Sequence, residues 1–434
     1  VSIRIRAAQA ATALLVTLGA LHAGAAGGAA PPKGRVAPEV AVFEDGLELV
    51  TWPQPGARRA ALWIVVRTGG TSDPPGKAGL AHLVEHLALG GSHDVGGRAF
   101  MDEARGAGAT VNAHTYPERI TFELDAPADR FDALAARFLR LVTSPAWEDA
   151  MIASERGIIE TEAAYHATEG LLSLVDLAVF PAPAQGGPLI GTEESRSRLD
   201  MEDVAAFFAR NMVPANISVV VTGATTPARS RALVEEAFRI PPARPGEAGA
   251  LPREPPSLPV EQKLQAGVVV TMAGYLLDPG DRALCPAVAS LLDLRLKLAV
   301  QLANERVSAV SVGCHRLRGN DFLIAFAFTS TLDTGDLPQR MQRAITGLGA
   351  ELPTARERQL IDGRLSREFQ RALGDPAALA DRVSVVAAER IGPRTDLAGL
   401  RAAPLPAATR LGALVRRSFT EERRVLLSIT PMQN

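Results

Sequence analysis

His82, Glu85 and His86 stand in the pattern His-x-x-Glu-His within the stretch Gly79–Leu89. On a helix, positions i and i+4 share one face about one turn apart. Both imidazoles then point the same way and can hold one metal ion. Glu85, three residues after His82, projects close to the same face and can reach a water on the metal without being a ligand. A carboxylate so placed is a general base, and the chemistry such a set performs is metal-assisted hydrolysis. A lone histidine on an apolar helix is usually a satisfied core or surface residue. Here two of only seven histidines fall at ligand spacing with a carboxylate between them, which favours the metal.

Ala146 to about Ala167 reads as a long helix in which Glu155 and Glu162 lie seven residues, two turns, apart and share a face. Taken alone, Glu162 would be a solvated helix position. His166, one turn beyond it, is a rival ligand.

The elements that must position these residues follow from periodicity and breakers. Val40 to Trp52 reads as two short strands, and Ala60 to Arg67 as an apolar strand ended by Gly69-Gly70. The turn Asp73-Pro74-Pro75-Gly76 feeds the motif helix. A helix is expected over Gly97–Gly106, and paired strands over Ala109–Ala113 and Ile120–Ala126. Phe131, Leu134, Phe138 and Leu141 mark an amphipathic helix from Arg130 to Leu141. Helix, strand and helix follow at Met201–Arg210, Ile217–Thr222 and Ala228–Phe238. Seven prolines between Pro241 and Pro259 then mark a linker, assigned to 241–262, between an N-terminal domain (37–240) and a C-terminal domain (263–434). The second half repeats the first in order. Gly267–Gly274 matches the strand at Ala60–Arg67, and Ala283–Ala303 takes the place of the motif helix. Ser308–Arg316 and Phe322–Thr329 form a strand pair, with helices at Leu337–Leu348 and Arg356–Leu373. The fold class expected is α+β: two homologous repeats, each a mostly antiparallel sheet with helices packed on one face. The second copy lacks His-x-x-Glu-His, and its only histidine is His315.

Composition bounds the rest. The 434 residues are 47% hydrophobic, ordinary for a globular protein, and the net charge of -2 gives no electrostatic case for nucleic acid or an anionic membrane surface. Arg4 and Arg6, an apolar run from Ala7 to Leu21 and Ala23-Gly24-Ala25 read as a signal peptide over 1–25, followed by a flexible lead-in over 26–36. The rival is an organelle transit peptide. The unbroken apolar run favours secretion across an inner membrane to the periplasm, with a mitochondrial location as the alternative. No other stretch approaches eighteen apolar residues. Cys285 and Cys314 can pair in an oxidising compartment or stay as buried free thiols.

With both motifs in hand, nearly the whole mature chain resembles the pitrilysin-type (M16) metallopeptidases, in the branch of half-length subunits that includes the mitochondrial processing peptidase. His-x-x-Glu-His is that family's inverted zinc signature, and Glu155-Arg156-Gly157-Ile158-Ile159-Glu160-Thr161-Glu162 resembles its second motif. The resemblance implies one zinc ion per chain on His82, His86 and Glu162, with Glu85 as base and Glu155 as a supporting residue. Two histidines and a carboxylate leave zinc a fourth position for water. Gly106–Thr115 resembles the family's substrate-pairing strand edge, which implies substrate contacts at Asn112, Ala113 and His114. One segment departs from the family. An arginine and, seven residues later, a tyrosine hold substrate in complete members, but Ala303 and Val310 stand at those places here. The expectation is a zinc-dependent endopeptidase acting on peptides or unfolded segments, as the zinc-bearing subunit of a two-subunit peptidase. A homologous partner would supply the Arg/Tyr pair. The alternative is a non-catalytic assembly or scaffold subunit that retains the metal motif.

Overall fold

In the computed structural model, residues 36–430 are described apart from 93, 166–170, 181–188, 241–254, 266–268, 302–305, 331–334, 390–393 and 401–402. The strand Arg59–Val66 (β3) is the natural starting point, because every residue after Arg59 is buried. A strand so apolar must be covered on both faces. It lies inside a six-stranded sheet ordered β1-β2-β6-β3-β5-β4, with β1 (Glu39–Val42), β2 (Glu48–Pro53), β4 (Thr110–Thr115), β5 (Ile120–Pro127) and β6 (Ile217–Gly223). All its pairings are antiparallel except β2 with β6.

The second sheet is ordered β7-β11-β8-β10-β9, built from β7 (Val260–Gln265), β8 (Val270–Leu276), β9 (Val307–Leu317), β10 (Asn320–Thr329) and β11 (Arg424–Thr430). Replacing β2, β6, β3, β5 and β4 by β7, β11, β8, β10 and β9 reproduces the first order, and β7 with β11 is again the parallel pair. The two-repeat α+β reading is borne out. Strand β7 begins at Val260, inside the stretch read as linker. The leader expected over 1–25 lies outside the described residues.

The helices of the first repeat are α1 (Leu80–Gly90), α2 (Gly97–Gly106), α3 (Phe131–Thr143), α4 (Asp149–Tyr165), α5 (Leu171–Val179), α6 (Glu193–Ser197), α7 (Met201–Asn211) and α8 (Pro227–Ala237). Those of the second are α9 (Cys285–Leu296), α10 (Leu337–Thr346), α11 (Ala355–Ala372), α12 (Pro376–Ala388) and α13 (Ala408–Ser418). Alternate residues of β3 serve two cores, as the strand period of two requires. Leu62, Ile64 and Val66 join one core with Leu83, Leu87, Phe122 and Phe138 from the repeat's own elements. Ala61, Trp63 and Val65 join another with Leu379, Ala380, Val383 and Ala387 of α12, a helix of the second repeat. The exchange is mutual: Leu171, Val175 and Val179 of α5 pack on Val270, Phe322 and Val425 of the second sheet. Each repeat's own helices therefore occupy one face, as expected, and the opposite face is closed by a helix lent by the other repeat. Among the described residues no helix is long and apolar enough to cross a membrane.

Candidate metal and catalytic site

Helix α1 is anchored along its length. Leu80, Ala81, Leu83, Val84, Leu87 and Ala88 are buried, which leaves one stripe for His82 and His86. Its start is sharply defined, with Gly79 at φ +90°, a region glycine enters without penalty. Asp73 caps it from outside: Gly79 N–H donates to Oδ2 and Ala81 N–H to Oδ1, each at 2.8 Å. Burial pushes the Asp73 carboxyl up to about 7, against the pull of the N–H groups of Ala81, Gly79 and Leu80. A cap at a helix start satisfies donors that have no partner within the helix. Near the other end, Trp147 Nε1 donates to Leu87 O at 3.0 Å.

Helix α4 lies against α1. Ile152 and Ile159 are buried on it, and Glu155 and Glu162 fall on the same stripe at helical spacing. His86 is held between the two glutamates. Its Nδ1 is 3.0 Å from Glu155 Oε2 and its Nε2 is 3.4 Å from Glu162 Oε2. His82 Nε2 lies 3.6 Å from the same Glu162 oxygen, and the two imidazole rings meet edge to face at 4.7 Å. Among the described residues His82, His86 and Glu162 form a group whose ligand atoms all lie within 4.8 Å of one another.

The residues fit a zinc ion by their own chemistry. Burial, with help from the nearby charges of His86 and Arg196, lowers the His82 pKa to about 3, so its ring is neutral at ordinary pH. His82 Nδ1 is buried without a hydrogen-bond partner, and Nε2 is the nitrogen aimed at Glu162. Burial also pulls His86 down, but the Glu155 hydrogen bond and the charges of Glu85, Glu162 and Glu155 outweigh it and leave His86 raised. With Nδ1–H donating to Glu155, the His86 lone pair sits on Nε2, facing Glu162. Two imidazole nitrogens and one carboxylate oxygen make a zinc donor set with a position left open.

Glu85 stands outside that group. It is 7% exposed, and Thr115 Oγ1 donates to its Oε2 at 2.7 Å. Thr115 ends β4, the edge strand of the sheet. Tyr116 N–H donates to Arg119 O and closes the β4–β5 hairpin, and this sets the ladder parity: with β4 in register on β5, Asn112 and His114 bond inward to β5. Val111, Ala113 and Thr115 turn their backbone groups to the open edge. Asn112 and His114 side chains meet on one exposed face, Nδ2 to Nε2 at 2.9 Å.

The structure thus gathers His82, His86, Glu155 and Glu162 at one point, with Glu85 beside them, and places Asn112, Ala113 and His114 on the edge strand that ends at Thr115. His166 and Ala303 lie outside the described residues, and Val310 is buried on β9. Sequence reasoning missed Asp73, read only as a turn residue, and the donor Thr115. It also missed buried Arg196, whose Nη1 donates to Gly191 O at 2.8 Å. Asp73 acts from six and eight residues away, beyond the usual capping spacing.

Fold and site together define a class: a two-repeat α+β chain with, among the described residues, one candidate metal centre, in the first repeat. The sequence pattern of the family described as Insulinase (Peptidase family M16) matches residues 49–185, a stretch that holds both motifs. Coenzyme PQQ synthesis protein F of Pseudomonas aeruginosa is 28% identical over 226 residues, covering 50% of this chain and 29% of that protein. A probable mitochondrial-processing peptidase subunit beta of Schizosaccharomyces pombe is 23% identical over 176 residues, 40% of this chain and 38% of that one. The chain therefore spans less than half the length of these curated relatives. The crystal structure of a protease from Helicobacter pylori superposes with a TM-score of 0.75 at 15% identity, over 91% of this chain and 100% of that one. Residues 49–185 thus carry the sequence pattern of the M16 peptidases, and the chain shares its fold with the solved structure.

Proposed function

We propose that the chain is a zinc-dependent endopeptidase that cleaves peptides or unfolded segments, and that it is the zinc-bearing subunit of a two-subunit enzyme. One observation carries the reading: His82, His86 and Glu162 converge within 4.8 Å while Glu85, one turn away on the same helix, is held by Thr115. His82 Nε2, His86 Nε2 and a Glu162 oxygen would hold the ion, and Glu155 would fix the His86 ring from behind. When bound, zinc supplies a Lewis acid that polarises the scissile carbonyl and activates water at neutral pH. Glu85 takes the proton of the attacking water and delivers it to the departing amine. The Thr115 hydroxyl, donating to Glu85 Oε2, orients the carboxylate for proton transfer. Substrate adds to the open edge of β4 as an extra strand, paired through the backbone of Ala113 and flanked by Asn112 and His114, so that selectivity is broad.

The arginine and tyrosine that grip substrate in complete members would come from a homologous partner, because Val310 stands at one of the two places. The disulfide Cys285–Cys314 supports an oxidising compartment, in line with secretion to the periplasm. The test is Glu85→Gln in the full chain. Zinc should remain at one per chain while peptide hydrolysis collapses by at least about a thousandfold, the loss expected when an essential proton carrier is removed. A variant that cleaves as well as wild type removes Glu85 as the base. A wild-type chain without stoichiometric zinc overturns the metal assignment. Zinc retained with no hydrolysis, even beside a homologous partner, favours the scaffold reading.

A further inference from the structure

The turn between β9 and β10, in the repeat without a metal site, grips the first repeat at two places. Arg318 has φ +46°, the one non-glycine residue with positive φ among the described residues. Such a conformation persists where the surroundings over-determine it. Arg318 is 4% exposed, and its guanidinium makes a fork onto Asp176 of α5, Nε to Oδ1 at 3.0 Å and Nη2 to Oδ2 at 2.8 Å. The next residue, Gly319, donates its N–H to Glu118 Oε1 at 2.8 Å. Arg316 stands 3.9 Å from the other Glu118 oxygen.

The second of these grips leads to the candidate site. Glu118 is in the tip of the β4–β5 hairpin, three residues past Thr115, which holds Glu85. Beside it, Pro117 O accepts from both Thr71 N–H and Thr71 Oγ1, and Tyr116 O accepts from Gly70 N–H. That loop runs directly into Asp73, the cap of α1. Asp176 is on α5, the element that follows α4 and its Glu162. One two-residue turn therefore holds both the hairpin tip beside Thr115, through Glu118, and helix α5, through Asp176. A buried ion pair adds little net stability over a well-packed apolar pair; what a bidentate arginine–carboxylate fork supplies is fixed geometry.

We propose that Arg318, Gly319 and Glu118 form a positioning latch through which the second repeat sets the hairpin end at Thr115 against Glu85. The kinetic part rests on the peptidase reading above. The experiment compares Glu118→Ala, which removes the acceptor of Gly319, with Glu118→Gln, which keeps it, in the full chain. Three readouts are taken: amide hydrogen exchange, zinc affinity by chelator competition, and kcat and KM on a short peptide. Exchange over residues 69–73 and 115–121 should quicken at least about tenfold in Glu118→Ala and not elsewhere, as a local opening does. With it kcat should fall about tenfold or more, since a slight misplacement of a reacting group costs that much, while KM and zinc affinity stay within about twofold. Glu118→Gln should return local exchange and kcat to wild-type values. Arg318→Lys, which loses the fork that holds the turn, should quicken exchange over the same residues. The latch is overturned if Glu118→Ala lowers the melting temperature but leaves local exchange and kcat at wild-type values. If the wild-type chain proves to hold no zinc, the peptidase reading falls, and the exchange comparison decides the latch by itself.

Discussion

Replacing Glu155 by glutamine isolates the charge behind His86. The carboxylate lies 3.0 Å from Nδ1 and its side chain is 19% exposed, so a neutral amide of the same shape fits in its place. A hydrogen bond to an ionised partner contributes about 1.5–3 kcal/mol and a neutral one about 0.5–1.5, a difference near 1–1.5 kcal/mol. At about 1.4 kcal/mol per decade, this alone weakens metal binding about five- to tenfold. Loss of a negative charge one ring away from a divalent ion carries the effect towards the 10–100-fold typical of such supporting residues, about 1.4–2.7 kcal/mol. The assay is competition with a chromogenic chelator at neutral pH, with the melting temperature measured beside it. The pH dependence adds an independent check. His86 is raised by its carboxylate neighbours despite burial, so below that raised pKa a proton competes with the metal and affinity falls with pH. His82, neutral down to about pH 3, adds nothing to that slope near neutrality. Removing the Glu155 charge lowers the His86 pKa, so the midpoint of the affinity–pH curve moves to more acid pH. The gap between variant and wild type therefore narrows as the solution is acidified. A dissociation constant within about twofold of wild type at neutral pH, where the expected loss is at least fivefold, or a midpoint that stays put, refutes the assignment of Glu155 as the residue that tunes His86.

Two further outcomes follow from the elements around the site. Ala113→Pro removes an N–H that faces the open edge of β4 and none that bonds to β5, and proline is tolerated on edge strands. It should keep zinc and fold while kcat/KM falls about tenfold or more, the loss of one or two substrate backbone bonds; peptide kinetics at wild-type level rule out strand addition at this edge. Asp73→Ala strands buried N–H groups at the start of α1. The lost cap and the unsatisfied donors together should cost about 2–4 kcal/mol in denaturant unfolding, and a cost below about 1 kcal/mol would mean that α1 does not depend on this carboxylate.

The elements nearest the chemistry were the ones most open to reading from sequence. The motif helix is bounded by Gly79 and Gly91, both at positive φ, and its two candidate ligands follow from i, i+4 geometry. The two glutamates of α4 are harder. That helix alternates Ile152 and Ile159 with Glu155 and Glu162 on one stripe, so an apolar period does not announce which face is inward, and the motif resemblance had to supply it. The exchanged helices α5 and α12 were not foreseen at all. Each is amphipathic toward a sheet that lies in the other half of the chain, and local periodicity carries no information about which sheet that is. Asp73 and Thr115 escaped for the same reason: each acts on a helix residue through a contact fixed by the fold of a loop or a strand end.

The equivalence of the two repeats also shows what chemistry requires of the first. Helix α9 occupies the place of α1, and β9, the edge strand of its sheet, the place of β4. In the second repeat the helix and the edge strand are joined covalently by Cys285–Cys314, and the helix face is filled by Ala287, Val288, Leu291 and Leu292. In the first repeat the same two elements meet through the Thr115 hydroxyl and the Glu85 carboxylate. A base must gain and lose a proton in each turnover, so its tether has to be one that survives both states, and a hydroxyl can donate to the carboxylate and accept from the carboxylic acid. A clamp serves where nothing titrates. The second repeat thus has the architecture that presents an edge strand to a helix, with a covalent contact in place of the hydrogen bond, and turns toward the first repeat the helix α12 and the Arg318–Gly319 turn. Its contribution to the proposed activity is then positional: it closes the far face of the first sheet and holds the hairpin tip next to Thr115.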